Sequence, residues 1–336
     1  MTTARRLLLV VLVCLSATPL NVLAGDTKPG AQLLELQQQV SLPFRFVAFG
    51  DTRFTDSHNQ AAANATIRQA IVRAISETNP AFISIAGDIV YRGDEAGDWE
   101  DWDSETSSWR TKTIPVYPAL GNHDMHGDHQ TALSNYFQRF PDLKQNRFYS
   151  VRVANCLMLV LDSSLPETTG LQGEWVKEKL DTISSDVAFV IVVLHHPPYT
   201  SSSDQSGGHS ARSMEQTLAT MLESKQARSR ARFVVFSGHV HNYERHEHGG
   251  VIYFVTGGGG ARPYPVARKP SDPFQSTSDN YHYLLAEVWK DKMKVTMKRI
   301  SFTNGKPNWT QPDSVTISVN PAAAETFSPE RSTALR

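Results

Sequence analysis

Phe44-Arg45-Phe46-Val47-Ala48-Phe49-Gly50-Asp51-Thr52-Arg53 carries a short run rich in Phe and Val into a glycine and then a carboxylate. An apolar run of this length, bounded by a turn residue, reads as a buried strand. The chain is expected to bend sharply at Gly50, because glycine tolerates conformations that other residues avoid. Four further segments have the same build. Apolar or extended stretches lead into Gly87-Asp88-Ile89-Val90-Tyr91, Gly121-Asn122-His123-Asp124, Val192-Val193-Leu194-His195 and Gly238-His239-Val240-His241. In an α/β arrangement the loops that leave the carboxyl ends of strands share one rim, so side chains far apart in sequence can meet there.

Other strand-like runs lie at 81–86, 157–161, 188–194, 232–236, 251–256, 283–289 and 293–300. Helical patterns occupy 61–78, with Ile67, Ile71, Val72 and Ile75 on one face and a stop before Pro80, and also 172–183 and 213–226. Strands alternating with helices early, followed by a mostly strand stretch, predict an α/β fold. Its form is a central β-sandwich of two mixed sheets flanked by helices, in four layers. Residues 43–320 form one catalytic domain in this reading, after a polar leader, 25–42, that is helical or irregular to about Val40. The tail, 321–336, has almost no apolar content and is expected to be disordered. The acidic segment 94–109 carries Trp99, Trp102 and Trp109, expected to pack on the domain as part of a helix.

The N-terminus has Arg5 and Arg6, an unbroken apolar run over 7–15, then Ser16, Thr18, Pro19 and the small residue Ala24. This is the layout of a signal peptide over 1–24, with cleavage after Ala24 and export to the periplasm or the extracellular space. A membrane anchor is the competing reading, but the run falls short of the roughly 20 apolar residues that span a bilayer. No stable membrane span is expected in the mature chain. Thirty-three Lys and Arg against 34 Asp and Glu give a formal charge of −1, which offers no attraction to a nucleic acid. Cys14 lies in the signal segment, so Cys156 is the only mature thiol and no intramolecular disulfide is expected. Cys156 opens an apolar run and reads as a small buried hydrophobe rather than a nucleophile.

Carboxylate, amide oxygen, phenolate and imidazole form the donor set of hard-to-borderline cations, without a thiolate to draw soft ones. With Tyr91 in Gly-Asp-x-x-Tyr and the block Gly238-His239-Val240-His241-Asn242-Tyr243-Glu244-Arg245, the sequence resembles the calcineurin-like metallophosphoesterase superfamily, and within it the purple acid phosphatase branch. The resemblance implies two metal ions. Asp51, Asp88, Tyr91 and His241 would hold the first, and Asp88, Asn122, His195 and His239 the second, with Asp88 bridging. Iron is expected in the first site, where a phenolate suits a hard trivalent ion, and zinc, manganese or iron in the second. One position departs from the pattern. Most of the superfamily has Asp-x-His in the first motif and purple acid phosphatases have Asp-x-Gly, whereas this chain has Arg53. A guanidinium stays protonated and cannot ligate, which makes Tyr91 the natural replacement. Arg53 is read either as a contact to substrate phosphate or as a structural ion pair.

The implied reaction is hydrolysis of a small phosphate ester, foremost a phosphomonoester, by a metal-bound hydroxide. A phosphodiester or nucleotide substrate is the nearest alternative. A non-catalytic metal- or phosphate-binding protein, or an interaction protein docking through its tryptophan-rich segment, is the alternative of a different class. His123 is the first candidate to protonate the leaving group and His209 the second. Asp124 is expected to hold His123 in one tautomer. Asn122, His123 and His209, with Arg53, are the expected substrate contacts. His196 is read as shaping its loop, and 257–260 as a tight turn at the site rim that lacks the Gly-Lys-Ser/Thr of a nucleotide loop. His126, His129, His246 and His248 are expected at the surface. Oligomeric state is left open.

Overall fold

The computed structural model describes residues 34–276 and 279–319. The expected signal segment 1–24, the first part of the leader and the tail 321–336 lie outside the described residues.

Two seven-stranded mixed sheets form the centre. The first runs in the order β1 (Glu35–Gln38), β5 (Tyr149–Val153), β6 (Cys156–Val160), β7 (Phe189–Val193), β8 (Arg232–Ser237), β10 (Val251–Thr256) and β9 (Tyr243–His248). The second runs β13 (Lys306–Thr310), β12 (Lys292–Thr303), β11 (His282–Val288), β2 (Phe44–Phe49), β3 (Ile83–Ala86) and β4 (Val116–Ala119), with β14 (Ser314–Ser318) also paired to β12. β2, β3 and β4 are mutually parallel, as are β6, β7, β8 and β10. Helices cover the sandwich. α1 (Ala65–Thr78) lies against β11 and β12 and contacts α3 (Ser107–Thr111), which follows α2 (Ala96–Glu105). α6 (Ser213–Gln226) packs on β8 and β10 of the other sheet; α4 (His129–Arg139) and α5 (Gly170–Asp181) are the other α-helices among the described residues.

The continuous apolar runs exist because both faces of the central strands are covered. In β7, Phe189, Ile191 and Val193 join the core that includes Phe46 and Phe236, while Val190, Val192 and Leu194 pack with α5 and α6 residues such as Trp175 and Leu218. That is the period-2 alternation of a strand buried on two sides. Each such Val, Leu, Ile or Phe contributes about 1.5–3 kcal/mol. α1 starts where the Asn64 side chain accepts from Ile67 N, and ends on Asn79 in a left-handed conformation, φ 46°. Ile67, Ile71, Val72 and Ile75 face inward as their spacing requires. Trp99, Trp102 and Trp109 are all buried in the core, and so is Cys156, whose thiol burial pushes up to about 12.

Several elements differ from the sequence reading. Glu35–Gln38, expected to be helical or irregular, forms β1 by parallel pairing with β5. β4 holds Pro118, which an edge strand tolerates because one side makes no ladder bonds. Most side chains of β9 are polar or charged, and it too is an edge. Among the described residues, no helix is long and apolar enough to cross a membrane.

One buried acid gives the fold a pH dependence. Glu167, in the loop between β6 and α5, is fully buried close to Glu215, whose carboxylate is held by Arg212. Burial first, and then the negative charge of Glu215, push its carboxyl up from 4.5 to about 8. The native state therefore keeps a proton that the unfolded chain releases. The stabilisation is complete below the unfolded value and is lost as pH rises toward the folded one. Glu167→Gln should flatten the decline in melting temperature between pH 5 and 8.5, and raise the melting temperature at the upper end. A thermal-unfolding series that falls equally steeply in the variant would show that Glu167 does not carry it.

Candidate metal centre

β2, β3 and β4 face β8, β7 and β6 respectively across the sandwich. Asp51 thus leaves its strand opposite His239 and His241, and Asp88 leaves its strand opposite His195. Pairing continues past the ends of β2 and β3: Asp51 N donates to Gly87 O at 3.0 Å, Arg53 N to Asp88 O at 3.0 Å and Tyr91 N to Phe54 O at 3.0 Å. The motif residues make the bend themselves. Asp51 (φ 58°), Arg53 (46°), Asp88 (53°) and His239 (68°) are all left-handed, at a cost of order 1–3 kcal/mol each. This corrects the expectation that each preceding glycine supplies the turn; Gly87 does, at φ 81°, but Gly50, Gly121 and Gly238 do not. At Gly121 a Cβ would collide with the backbone N and carboxylate of Asp88. That glycine permits close approach.

Two sets of donor atoms result. Asn122 Oδ1 lies 2.9 Å from His195 Nε2 and 3.2 Å from His239 Nδ1, those two nitrogens are 3.2 Å apart, and Asp88 Oδ1 is 3.3 Å from His195 Nε2. Asp51, Asp88 and His241 form the other set, their donor atoms within 4.8 Å of one another and His241 Nε2 3.4 Å from Asp51 Oδ1. Second partners fix the rings. His195 Nδ1 donates to Ala86 O at 2.9 Å and His241 Nδ1 to Arg262 O at 2.7 Å, so each presents the lone pair of Nε2. His241 Nε2 is buried and has no hydrogen-bond partner, an arrangement that costs free energy unless a cation takes the lone pair. Burial, with Arg53 nearby, holds this imidazole down at about 3, and burial with neighbouring histidines depresses His239 too; both are neutral donors. Burial pushes Asp51 up to about 7, against the pull of His195, whereas His195, Arg53 and His123 overcome burial and hold Asp88 well below the usual range. A neutral-imidazole and carboxylate set with an orphaned buried nitrogen fits divalent or trivalent cations.

Around these sets lie the other expected residues. His123 N donates to Asp88 Oδ1 at 2.9 Å, and its Nδ1 donates to Tyr91 O at 2.7 Å. The Tyr91 carbonyl therefore sets the tautomer, and Asp124 does not. Asp124 is buried and accepts from Ile89 N, Val90 N and Gly121 N at 2.8, 3.2 and 2.8 Å, which ties the third motif to the second. The Tyr91 ring packs 5.3 Å from that of His123. The His209 ring lies 4.2 Å from that of His239. Arg53 pairs with Asp88, Nη2 to Oδ2 at 3.2 Å. His196, expected only to shape its loop, does bond Ser163 Oγ at 2.8 Å, yet it also stands within 4.8 Å of the donor atoms of His195 and His239. Tyr264 was not read from the sequence at all. It stacks 4.1 Å from the His241 ring, and the Arg53 charge opposes the burial that raises its hydroxyl. His126, His129 and His248 are exposed, but His246 is buried against Glu244, at 3.2 Å, which corrects its surface placement. In the 257–260 segment, a Cβ at Gly257 would meet Val240 O and the Asp51 carboxylate, so that turn does border the site.

The sequence profile of the calcineurin-like phosphoesterase family matches residues 44–243, which hold every one of the seven donors. The chain belongs to that family. Purple acid phosphatases are among the relatives of this calcineurin-like phosphoesterase: purple acid phosphatase 23 of Arabidopsis thaliana is 23% identical over 268 residues, 68% of this chain and 55% of the relative. The chain thus spans about half the length of that curated relative. Purple acid phosphatase PPD1 from yellow lupin (Lupinus luteus) seeds shares the fold at a TM-score of 0.64 and 17% identity, over 84% of this chain and 55% of the lupin chain. GAP50, the anchor in the inner membrane complex of Plasmodium, shares it at 0.62 and 16% identity, over 83% and 89%. The two mixed sheets and flanking helices expected from the sequence are the fold of these neighbours.

Proposed function

We propose that this phosphoesterase hydrolyses small phosphate esters, foremost phosphomonoesters, with two metal ions that share Asp88. The observation that carries the reading is the pair of donor sets meeting at that one carboxylate, one of them holding the buried, unpartnered Nε2 of His241. Asp51, Asp88, Tyr91 and His241 would hold one ion and Asp88, Asn122, His195 and His239 the other. Such ions supply Lewis acidity and a nucleophile near neutral pH. The chain's own groups do the rest. His123, with Nδ1 engaged by the Tyr91 carbonyl, has Nε2 left to deliver a proton to the departing oxygen. His209 and the Asn122 amide, on the rim beside His239, orient the phosphoryl group. Residues 5–24 support export, so the substrate would be met outside the cytoplasm.

Metal analysis of the purified protein together with a panel of a monoester, a diester and a nucleotide tests this. Two metals per chain and fastest turnover of the monoester are expected. One metal at saturation would refute the shared carboxylate. Full loading without turnover would instead favour a binding role, such as an anchor.

Tyr91 decides the identity of the first ion. A phenolate on ferric iron gives a visible charge-transfer band, and Tyr91→Phe keeps the ring while removing the donor oxygen. The band should vanish and iron affinity fall by about 10- to 100-fold, the range of a lost metal-site partner. An unaltered spectrum and iron content would make Tyr91 a packed aromatic only.

A further inference from the structure

Arg53 stands at the position where the first motif departs from the pattern that the resemblance implies, and it does so in a left-handed backbone conformation that glycine would adopt without strain. Its guanidinium approaches Asp88 Oδ2 with Nη2 at 3.2 Å and Nε at 3.4 Å. The other oxygen, Oδ1, is already turned to His123 N and to His195 Nε2. Oδ2 is therefore the oxygen left for the set of Asp51 and His241, and Arg53 holds it. The Arg53 charge lowers the pKa of His123, His209 and His241 alike, and it opposes the burial that raises the hydroxyl of Tyr264, whose ring lies 4.1 Å from that of His241 and 5.0 Å from that of His209.

We propose that Arg53 is a displaceable stand-in for the first cation, and that once displaced from Asp88 it becomes the cation that recognises a phosphomonoester dianion. The proposal rests on the two-metal phosphoesterase reading. A cation brought to Oδ2 repels the guanidinium at contact distance, so loading the first site competes with the Arg53–Asp88 pair. Tyr264, beside His209 and His241, offers the freed fork a hydroxyl to meet. A monoester presents three unesterified oxygens and up to two charges, and a diester only two oxygens and one charge. A planar guanidinium donating two parallel bonds therefore favours the monoester. One side chain thus acts with opposite sign on metal and on substrate, which a merely structural ion pair would not do.

Arg53→Met, which removes charge but keeps length, and Arg53→Lys, which keeps charge but loses the fork, test this in the full chain. Zinc alone is titrated calorimetrically against a competing chelator, inorganic phosphate is titrated into zinc-loaded protein, and turnover is compared for p-nitrophenyl phosphate and methyl p-nitrophenyl phosphate. Arg53→Met should bind the first-site zinc about 10-fold tighter and phosphate about 10- to 100-fold more weakly, as for a lost charge-assisted hydrogen bond. Its monoester-to-diester preference should fall about 10-fold. Arg53→Lys should keep wild-type zinc affinity and lose part of the phosphate affinity. Weaker zinc together with weaker phosphate in both variants would overturn the proposal in favour of a structural pair, and so would unchanged phosphate affinity and preference. Wild-type protein that binds zinc and phosphate but turns over neither ester would refute the hydrolase reading, while the opposed zinc and phosphate shifts would still be measured.

Discussion

Asp88→Asn should leave the protein with neither metal position intact and lower turnover by roughly 10³-fold or more, beyond the loss of a single stabilising donor. The carboxylate is fully buried, with Oδ1 toward His195 and the His123 amide and Oδ2 toward Arg53, and it belongs to the set of Asp51 and His241. An asparagine keeps the size but has one oxygen, no charge, and an amide NH2 where a cation should sit. In the metal-free protein the same change leaves the Arg53 guanidinium, half-buried, without its partner. Removing one member of a buried pair costs about 3–5 kcal/mol. Elemental analysis, steady-state turnover and thermal unfolding of one preparation separate these effects. A variant that retains two metals would show that Asp88 is not shared, whatever its activity.

The donors were legible because each follows an apolar strand, and strand ends in parallel sheets share a rim. Local pattern placed Asp51, Asp88, Asn122, His195, His239 and His241 there, and the resemblance proposed them as metal donors. Tyr264 follows Gly257–Gly260 in a stretch without strand or helix, and nothing in its neighbours announces that its ring will stack on His241. His246 looked like a surface histidine because β9 is rich in charge. Its burial depends on Glu244, which accepts from Thr200 Oγ1 at 2.5 Å and Ser201 N at 2.6 Å and so fastens the loop that carries His209. Asp124 misled for a different reason. A carboxylate next to a histidine in sequence suggests a tautomer-fixing pair, but adjacent side chains seldom face each other, and three backbone N–H groups of the second and third motifs claim its oxygens. Local pattern thus reached what the strand ends present. What long-range hydrogen bonds decide lay beyond it.

His123→Ala should lower turnover of an alkyl phosphate by roughly 10²-fold or more, the usual contribution of a positioned general acid, while metal content stays at two per chain. No side-chain atom of His123 belongs to either donor set. Its backbone amide, which survives the substitution, makes the contact to Asp88 Oδ1. The ring is aimed by the Tyr91 carbonyl on Nδ1 and packs on Tyr91 on one side and His126, 5.6 Å away, on another. Burial pushes the imidazole down to about 4, Asp88 opposing and Arg53 reinforcing, so Nε2 carries a proton chiefly on the acid side. The rate contributed by this proton should therefore decline as pH rises above that value, and the variant should lose that limb of the profile. The leaving group supplies the sharper test. An alkoxide cannot depart unprotonated, whereas p-nitrophenolate can, so the loss should shrink to within about 10-fold for p-nitrophenyl phosphate. Equal losses on both esters would make His123 a substrate-positioning group rather than an acid, and loss of metal would make it part of the scaffold of Asp88. Unchanged turnover of both would transfer the proton to His209, which faces the same mouth from the ring of His239.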